Sequence, residues 1–322
     1  MSQFDRTIGS SAQSGAKSDR DTEQGIEPGS VTHTESQLLP ADVFATLGNE
    51  TRVDILRSLL ECGADNSPVS FTDLFEAVDI ADSANFNYHL QQLTDHFVTQ
   101  TDEGYEFRYP GRKVVSSIFS GTFTERAQLG LFPVDGSCYS CERSLQGWYA
   151  DDTLTIGCTD CGTIQVSYPF PTGGLDDRSI DELLQAFHHY VRHHYCLAAD
   201  GVCPECTGSV ETDLVYGLNA DDQDVAVEHV CQRCGYQLQS TVGLTLLDNA
   251  DVLVFHSKRG VDLNTEPFWH FDWCVSDIRT RVVSEAPLRV QLTLPCENDE
   301  LQVLVDETGT VIETAIVEHL PQ

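Results

Sequence analysis

The 322-residue sequence predicts an α+β protein. A mostly helical N-terminal region ends in a short hairpin, two cysteine-rich β modules flank a helix, and an antiparallel sheet closes the C-terminus. Three observations predict this. Apolar residues between Leu38 and Leu129 recur at helical spacing and are punctuated by capping residues. Eight of the 12 cysteines fall into four C-x-x-C pairs. From Arg279 to Val317 the apolar pattern alternates as in strands.

The expected division is 1–37, 38–130, 131–175 and 176–322. Residues 1–37 are rich in Ser, Gly, Thr, Gln and Asp with no hydrophobic period, the composition of a disordered tail. In 38–130, Pro40–Leu47 is a short helix ending at Gly48. Asn49 caps a second helix, Glu50 to Leu60, with Val53, Leu56, Leu59 and Leu60 on one side. Ser70 caps a third, Phe71 to Val78. A fourth begins at Asp82 or Ser83 and runs to about His96. Val98 to Thr101 and Tyr105 to Tyr109 are strands joined by the turn residues Asp102-Glu-Gly104. Pro110-Gly111 breaks the second strand, and a last helix runs from Arg112 to about Phe123. This order is that of a winged helix-turn-helix.

On the fourth helix, Phe86, Leu90, Leu93 and Phe97 form the stripe to be buried. Ser83, Asn85, Asn87, Tyr88 and Gln91 remain for the other side. Amides and hydroxyls there suit base edges, since Asn and Gln pair bidentately with adenine; an ordinary solvated face is the alternative. Arg108, Arg112 and Lys113 cluster at the wing of a chain with only three lysines. Phosphate or minor-groove contact is their natural use, and an ion pair to Glu103 or Glu106 the alternative. His89, beside the apolar stripe, is expected to pack rather than ligate.

Cys138-Tyr-Ser-Cys141 and Cys158-Thr-Asp-Cys161 are separated by sixteen residues that read as a hairpin, with Asp151-Asp152 at its turn. This is the spacing of a four-cysteine zinc ribbon, and Gly162 permits the tight turn after the pair. Cys203-Pro-Glu-Cys206 and Cys231-Gln-Arg-Cys234 repeat the logic over a 24-residue gap. It holds two strands and an acidic loop. Pairing of knuckles from different ribbons stays open as the alternative. Two closed four-cysteine sites imply two structural Zn2+ ions, not hydrolytic chemistry; a redox switch is the other reading. Cys62, Cys196, Cys274 and Cys296 lack partners at ligand spacing and read as buried small apolar residues, with a metal-sensing site as the sharper alternative. A helix from about Ser179 to Leu197 carries Leu183, Phe187, Tyr190 and Leu197 on its apolar side. It also carries His188, His189, His193 and His194, either aromatic-packing residues or a metal pair. Thr241 to about Phe255 reads as one helix, Pro267 to Trp273 as aromatic core. Arg279 to Ser284, Leu288 to Leu294, Glu300 to Val305 and Thr310 to Val317 read as strands.

The net charge is −33, from 51 acidic and 18 basic residues, and the carboxylates are spread along the whole chain. A uniform acidic coat is a solvation strategy for very high salt, where the Debye length shrinks to about 3 Å. Repulsion from phosphates is then screened, as is the usual counterion gain. The charge neither forbids nor supports DNA binding.

The ordered motifs carry a resemblance. Leu47-Gly-Asn-Glu-Thr-Arg-Val-Asp-Ile-Leu56 resembles the opening helices of ArsR-like regulators. Asn85-Phe-Asn-Tyr-His-Leu-Gln-Gln-Leu93 resembles their recognition helix, and Phe97-Val98 with Asp102-Glu-Gly-Tyr-Glu-Phe107 their wing. With its cysteine-rich C-terminal region, the chain is similar to a haloarchaeal group of such regulators. The resemblance implies a homodimer joined through the first helix and the helix at Val114 to Phe123, with two recognition helices in successive major grooves.

The function expected is therefore a cytoplasmic transcription regulator that binds double-stranded DNA. The alternative is an adaptor that meets protein partners of the transcription apparatus through its winged helix and ribbons. No phosphate loop, nucleophile elbow or H-E-x-x-H motif is present, so an enzyme is not expected. No apolar run is long enough to span a membrane, and no secretory signal opens the chain. Operator and effector are not legible.

Overall fold

The computed structural model describes residues 39–216 and 225–318. The tail expected at 1–37 and the acidic loop at 217–224 lie outside the described residues. Two separate apolar clusters organise the rest, one from Ile55 to Val115 and one from Phe132 to Val305.

The first cluster is built by α1 (Pro40–Leu47), α2 (Glu50–Glu61), α3 (Phe71–Ala77), α4 (Ser83–Leu93), the hairpin β1 (Val98–Gln100) and β2 (Tyr105–Phe107), and α5 (Tyr109–Phe119). Three of the helices start at side-chain caps. Asn49 accepts from the Arg52 N–H, Ser70 from Asp73 N–H and Asp82 from Ala84 N–H, each satisfying a donor that a helix start leaves open. Ile55, Leu56 and Leu59 of α2 meet Leu74 of α3 and Phe86, Leu90 and Leu93 of α4, all fully buried. The hairpin pairs Val98 with Phe107, and Tyr105 also bridges to Val69 ahead of α3.

Three helix bounds differ from expectation, one of them the end of α5, which closes at Phe119 rather than near Phe123. α4 ends at Leu93, not near His96, because Thr94 turns extended and Asp95 takes a left-handed φ of 73°. α5 starts at Tyr109 rather than Arg112. Pro110 occupies the first turn, where its missing N–H costs nothing. Gly111 is not a breaker: it is buried, and a Cβ there would overlap the Phe97 carbonyl oxygen, so it is the point where α5 crosses the chain entering β1.

The second cluster is built from three antiparallel sheets and the helices between them. β3 (Leu129–Ser137), β4 (Ser144–Ala150), β5 (Thr153–Gly157) and β6 (Ile164–Pro169) form an antiparallel sheet in chain order. Its β4–β5 turn places Asp151 and Asp152 at φ 49° and 57°, as a two-residue hairpin turn with the strands' own twist requires. Next comes α6 (Ile180–Ala199), opened by a capping box between Ser179 and Glu182. A second antiparallel sheet follows: β7 (Val210–Tyr216), β8 (Val225–Cys231) and β9 (Gln237–Ser240). The meander β10 (Thr280–Glu285), β11 (Leu288–Cys296), β12 (Asp299–Asp306) and β13 (Val311–Glu318) closes the domain as the alternation predicts. Buried Phe268, Trp269 and Trp273 join its core.

Thr241 to Phe255 is two helices instead of one, α7 (Val242–Thr245) and α8 (Ala250–Ser257). Between them the Leu247 carbonyl is taken by Arg192, and Asn249 caps α8 by accepting from Asp251 and Val252 N–H. The short helix α9 (Asp272–Val275) precedes the meander. On α6 the buried side runs through Leu183, Phe187, Val191, Tyr195 and Cys196, leaving Leu197 exposed, contrary to its assignment to the apolar side. Cys196, Cys274 and Cys296 are buried as expected, but Cys62 is exposed at the end of α2.

Arg192 is 1% exposed. Its guanidinium donates to the carbonyls of Leu263 and Leu247 (3.0 Å for the latter) and to the Asp248 carboxylate at 2.5 Å. Burial works to raise the Asp248 carboxyl, but hydrogen bonding and charge from Arg192 outweigh it and hold the group below its usual range. Arg192→Met should cost roughly 2–4 kcal/mol in denaturant unfolding, because two buried carbonyls lose their donor. Asp248→Asn should cost under about 1 kcal/mol, since the carboxylate is half exposed. The folded-state pKa of Asp248 is depressed, so its contribution is present above about pH 4 and fades as pH falls through the lowered value. The stability gap between native protein and Asp248→Asn should narrow over that acid range; a gap that widens there would contradict the assignment.

Candidate metal centres and nucleic-acid interface

Three of the C-x-x-C pairs sit at the ends of β3, β5 and β8 and the fourth inside the Val202–Ser209 bridge ahead of β7, and the four turns are built alike. The first cysteine N–H donates forward, Cys138 to Arg143 O, Cys158 to Thr163 O, Cys203 to Gly208 O and Cys231 to Tyr236 O, at 2.8–2.9 Å. The residue after the second cysteine donates back to the first cysteine's carbonyl, at 2.8–3.0 Å, from Glu142, Gly162, Thr207 and Gly235. Those four residues have φ of 61°, 80°, 58° and 74°. This left-handed geometry curls the chain so that both thiols face one point. The role of Gly162 was legible in the sequence. The matching roles of Glu142 and Thr207 were not, because neither residue type signals a left-handed turn, although their place after a second cysteine did.

The turns converge two by two. Cys138, Cys141, Cys158 and Cys161 form one group and Cys203, Cys206, Cys231 and Cys234 another, with all ligand atoms of a group within 4.8 Å. Sulfur–sulfur distances are 3.6 Å for Cys138–Cys161, 3.5 Å for Cys141–Cys158, 3.7 Å for Cys203–Cys234 and 3.6 Å for Cys206–Cys231. A disulfide needs about 2.05 Å. Four sulfurs at about 2.3 Å from a tetrahedral Zn2+ stand about 3.8 Å apart. The spacing therefore fits a four-thiolate ion and not a disulfide. Each group is closed by knuckles of its own module, so the cross-paired alternative does not occur.

The thiols are unequal. Cys161 is lowered to about 6 by the Thr163 side chain, whose Oγ1 lies 3.2 Å from its sulfur. Cys231 is lowered to about 6 by the backbone N–H groups of Cys234 and Arg233. Cys141 and Cys234 are pushed up to about 12: the backbones of Arg143 and Tyr236 act to lower them, but neighbouring sulfurs outweigh this. Crowded sulfurs ionise together only around a cation, which is the chemistry of this donor set.

The other metal candidates do not assemble. His188 is buried and accepts from the Phe268 N–H at 3.2 Å, with burial lowering it to about 4. His194 pairs with the Tyr168 hydroxyl at 2.9 Å. His189 and His193 stack with ring centroids 6.3 Å apart on an exposed face. Among the described residues, neither these histidines nor Cys62, Cys196, Cys274 and Cys296 form a group of three or more close ligands.

On α4 the two faces separate cleanly. Phe86, Leu90 and Leu93 are fully buried, while Ser83, Asn85, Asn87, Tyr88 and Gln91 are exposed. Gln92, which the sequence pattern does not single out, is exposed beside Tyr88 and Gln91. The helix carries no Asp or Glu, and neither does the stretch from Phe107 to Thr124, although acidic residues number 51 in the chain. His89 is half-buried against the Tyr88 ring, and desolvation with the Arg52 charge lowers its pKa. Arg108 is exposed. Arg112 is engaged elsewhere, by Asp65 at 3.0 Å and Ser116 at 3.1 Å, rather than by Glu103 or Glu106. Lys113 lies 5.5 Å from the centre of the Tyr109 ring.

The knuckle geometry generates a paired test. A Cβ added at Gly162 or Gly235 meets no atom within 4 Å, so only the left-handed backbone resists it. Gly162→Ala and Gly235→Ala should each cost about 1 kcal/mol of stability in thermal unfolding. Glu142→Gly and Thr207→Gly should instead be neutral or stabilising by a few tenths to about 1 kcal/mol. Opposite signs at the two kinds of position are the expected result.

No curated protein and no solved structure matches the chain. Residues 40–118 match the model of a domain of unknown function, DUF7347, which spans α1 to nearly the end of α5. Residues 135–311 match a second, DUF7351, whose span includes both four-cysteine groups, α6 and most of the C-terminal meander. That match covers more than half of the sequence, and the chain belongs to the DUF7351 family.

Proposed function

We propose that the protein is a DNA-binding transcription regulator with two structural zinc sites. In this reading α1 to α5 and the β1–β2 hairpin are a winged helix-turn-helix, α4 enters the major groove, and Arg108, between the hairpin and α5, meets phosphate or the minor groove. The observation that carries the reading is the α4 surface. Its inner face is fully buried, and its outer face offers amides and hydroxyls with no carboxylate, in a chain otherwise coated with carboxylates. Gln92 joins Ser83, Asn85, Asn87, Tyr88 and Gln91 as a base-reading candidate. Arg112 supports the domain through Asp65 more than it addresses DNA.

The zinc ions would be held by the two cysteine groups. All four ligands of each come from the protein, so no coordination position is left for water or substrate, and the ions act as staples. The reading is of a non-enzyme working in a high-salt cytoplasm. Among the described residues no helix is long and apolar enough to cross a membrane.

A homodimer is part of the proposal. α1 buries none of its residues completely, and Phe44 on α1, Phe119 on α5 and Phe123 just beyond α5 are 73%, 48% and 76% exposed. Apolar surface of this kind needs a cover, and a second copy supplies one symmetrically.

Metal analysis of the native protein should return two Zn2+ per chain, and Cys158→Ser should return one while leaving the second site loaded. A metal-free native protein would end the zinc reading. DNA binding should be measured across genomic fragments in molar KCl. Selective binding is expected, and Asn87→Ala with Gln91→Ala should reduce selectivity at least about ten-fold, given about 1–3 kcal/mol per bidentate base contact. Zinc-loaded, folded protein that binds no fragment selectively would instead favour an adaptor that meets protein partners.

A further inference from the structure

Four histidines of α6 fall between positions 188 and 194, and their surroundings divide them in two. His188 is buried, and His194 is half-buried with its ring on the Tyr168 hydroxyl, so both belong to the core. His189 and His193 are exposed. With Asp181, Gln185 and Leu197 they form the outer ridge of α6, at intervals of four residues. Among the described residues neither ring makes a hydrogen bond or an ion pair. No packing or bonding requirement of the fold accounts for two adjacent imidazoles there.

Residues four apart on a helix stand one above the other, so their side chains reach a common point. The two rings do so: their planes lie 17° apart and their centroids 6.3 Å apart. Imidazole is the commonest metal-ligating side chain, and two of them one turn apart on a helix face form a chelating pair. An ion bonded at about 2.1 Å to one nitrogen of each ring draws the centroids to about 5 Å, a closure that two solvent-facing side chains make by rotating about their χ angles.

The charge around the pair suits a cation. α6 has no Lys, and its one Arg, Arg192, is buried and paired with Asp248, so the helix sets no exposed positive charge beside the rings. The Asp248 carboxylate lies within electrostatic reach of His193, but its bond to Arg192 occupies it. Among the described residues no third His, Cys, Asp or Glu completes a protein cage at this place.

We propose that His189 and His193 together bind one divalent late transition-metal ion, Cu2+ most tightly and Ni2+ next, as nitrogen ligands select. Two imidazoles leave the remaining coordination positions to water or chloride. The site is therefore open and exchangeable where the cysteine groups are closed, and its ion can take a further ligand. It stands independently of the DNA-binding reading.

The test is equilibrium dialysis of full-length, zinc-loaded protein against Ni2+ in molar KCl, with both metals counted. The native chain should take up one Ni2+ that a His189→Ala, His193→Ala double variant does not, with zinc content unchanged. The difference between native and variant reads this site whatever the cysteine groups hold. His189→Ala and His193→Ala singly should each weaken Ni2+ binding at least about ten-fold, a loss of about 1.4 kcal/mol. Two independent one-histidine sites would instead lose half their capacity with no change in affinity. Both positions are exposed, so the melting temperature of the metal-free-ridge variants should match the native protein's, and lost binding then reports lost ligands rather than lost fold. Three outcomes would overturn the proposal: no Ni2+ difference between native and double variant, undiminished affinity in either single variant, or uptake of Ni2+ only as zinc leaves.

Discussion

One buried guanidinium organises the C-terminal two-thirds of the chain. Arg192 projects from the middle of α6 into the core and donates to the carbonyls of Leu247 and Leu263 and to the Asp248 carboxylate. A charge so deeply buried is tolerated only when it is paired and hydrogen-bonded, and the turn between α7 and α8 and the loop at Leu263 supply those partners. The same helix packs against both cysteine-bearing sheets, through Tyr190, His194 and Tyr195. Tyr168 of β6 packs its ring against Tyr190 and Tyr195 of α6 and shares a hydrogen bond with Tyr236, beyond the second cysteine group.

The cysteine groups act at the outer ends of this core. β4–β5 and β7–β8 are short antiparallel strands, and two or three such strands are marginal without packing or a cross-link. In each group four cysteine sulfurs converge from two turns, close enough to hold one metal ion. The turns are nearly identical in backbone although they share only the cysteines, because hydrogen bonding from the first cysteine and a left-handed residue after the second set the geometry. Glu and Thr accept that strained backbone where Gly would relax it, which shows how strongly the convergence constrains the chain.

Much of this was legible in the sequence, for identifiable reasons. Caps at Asn49, Ser70 and Asp82 act within four residues, so local sequence marks them. C-x-x-C spacing is equally local, and the alternation of β11 and β12 records burial on one face directly. Errors arose where a distant group took over. Pro110-Gly111 looks like a break, but Gly111 is small because the Phe97 carbonyl passes against it. Thr241 to Phe255 looks like one helix, but Arg192, 55 residues upstream, claims the Leu247 carbonyl in its middle. Arg112 looks free for phosphate until Asp65 engages it.

By itself the sequence determined the α+β class, the order of the N-terminal helices and hairpin, the two cysteine quartets and the polar face of α4, since each is written in residues close together along the chain. Only the tertiary structure decided which knuckles share a site, which helix faces lose their water, and that Arg112 is held by Asp65. Those facts depend on residues as far apart as Asp65 and Arg112 meeting in space. No local pattern encodes such meetings, because burial, pairing and desolvation are properties of the assembled core.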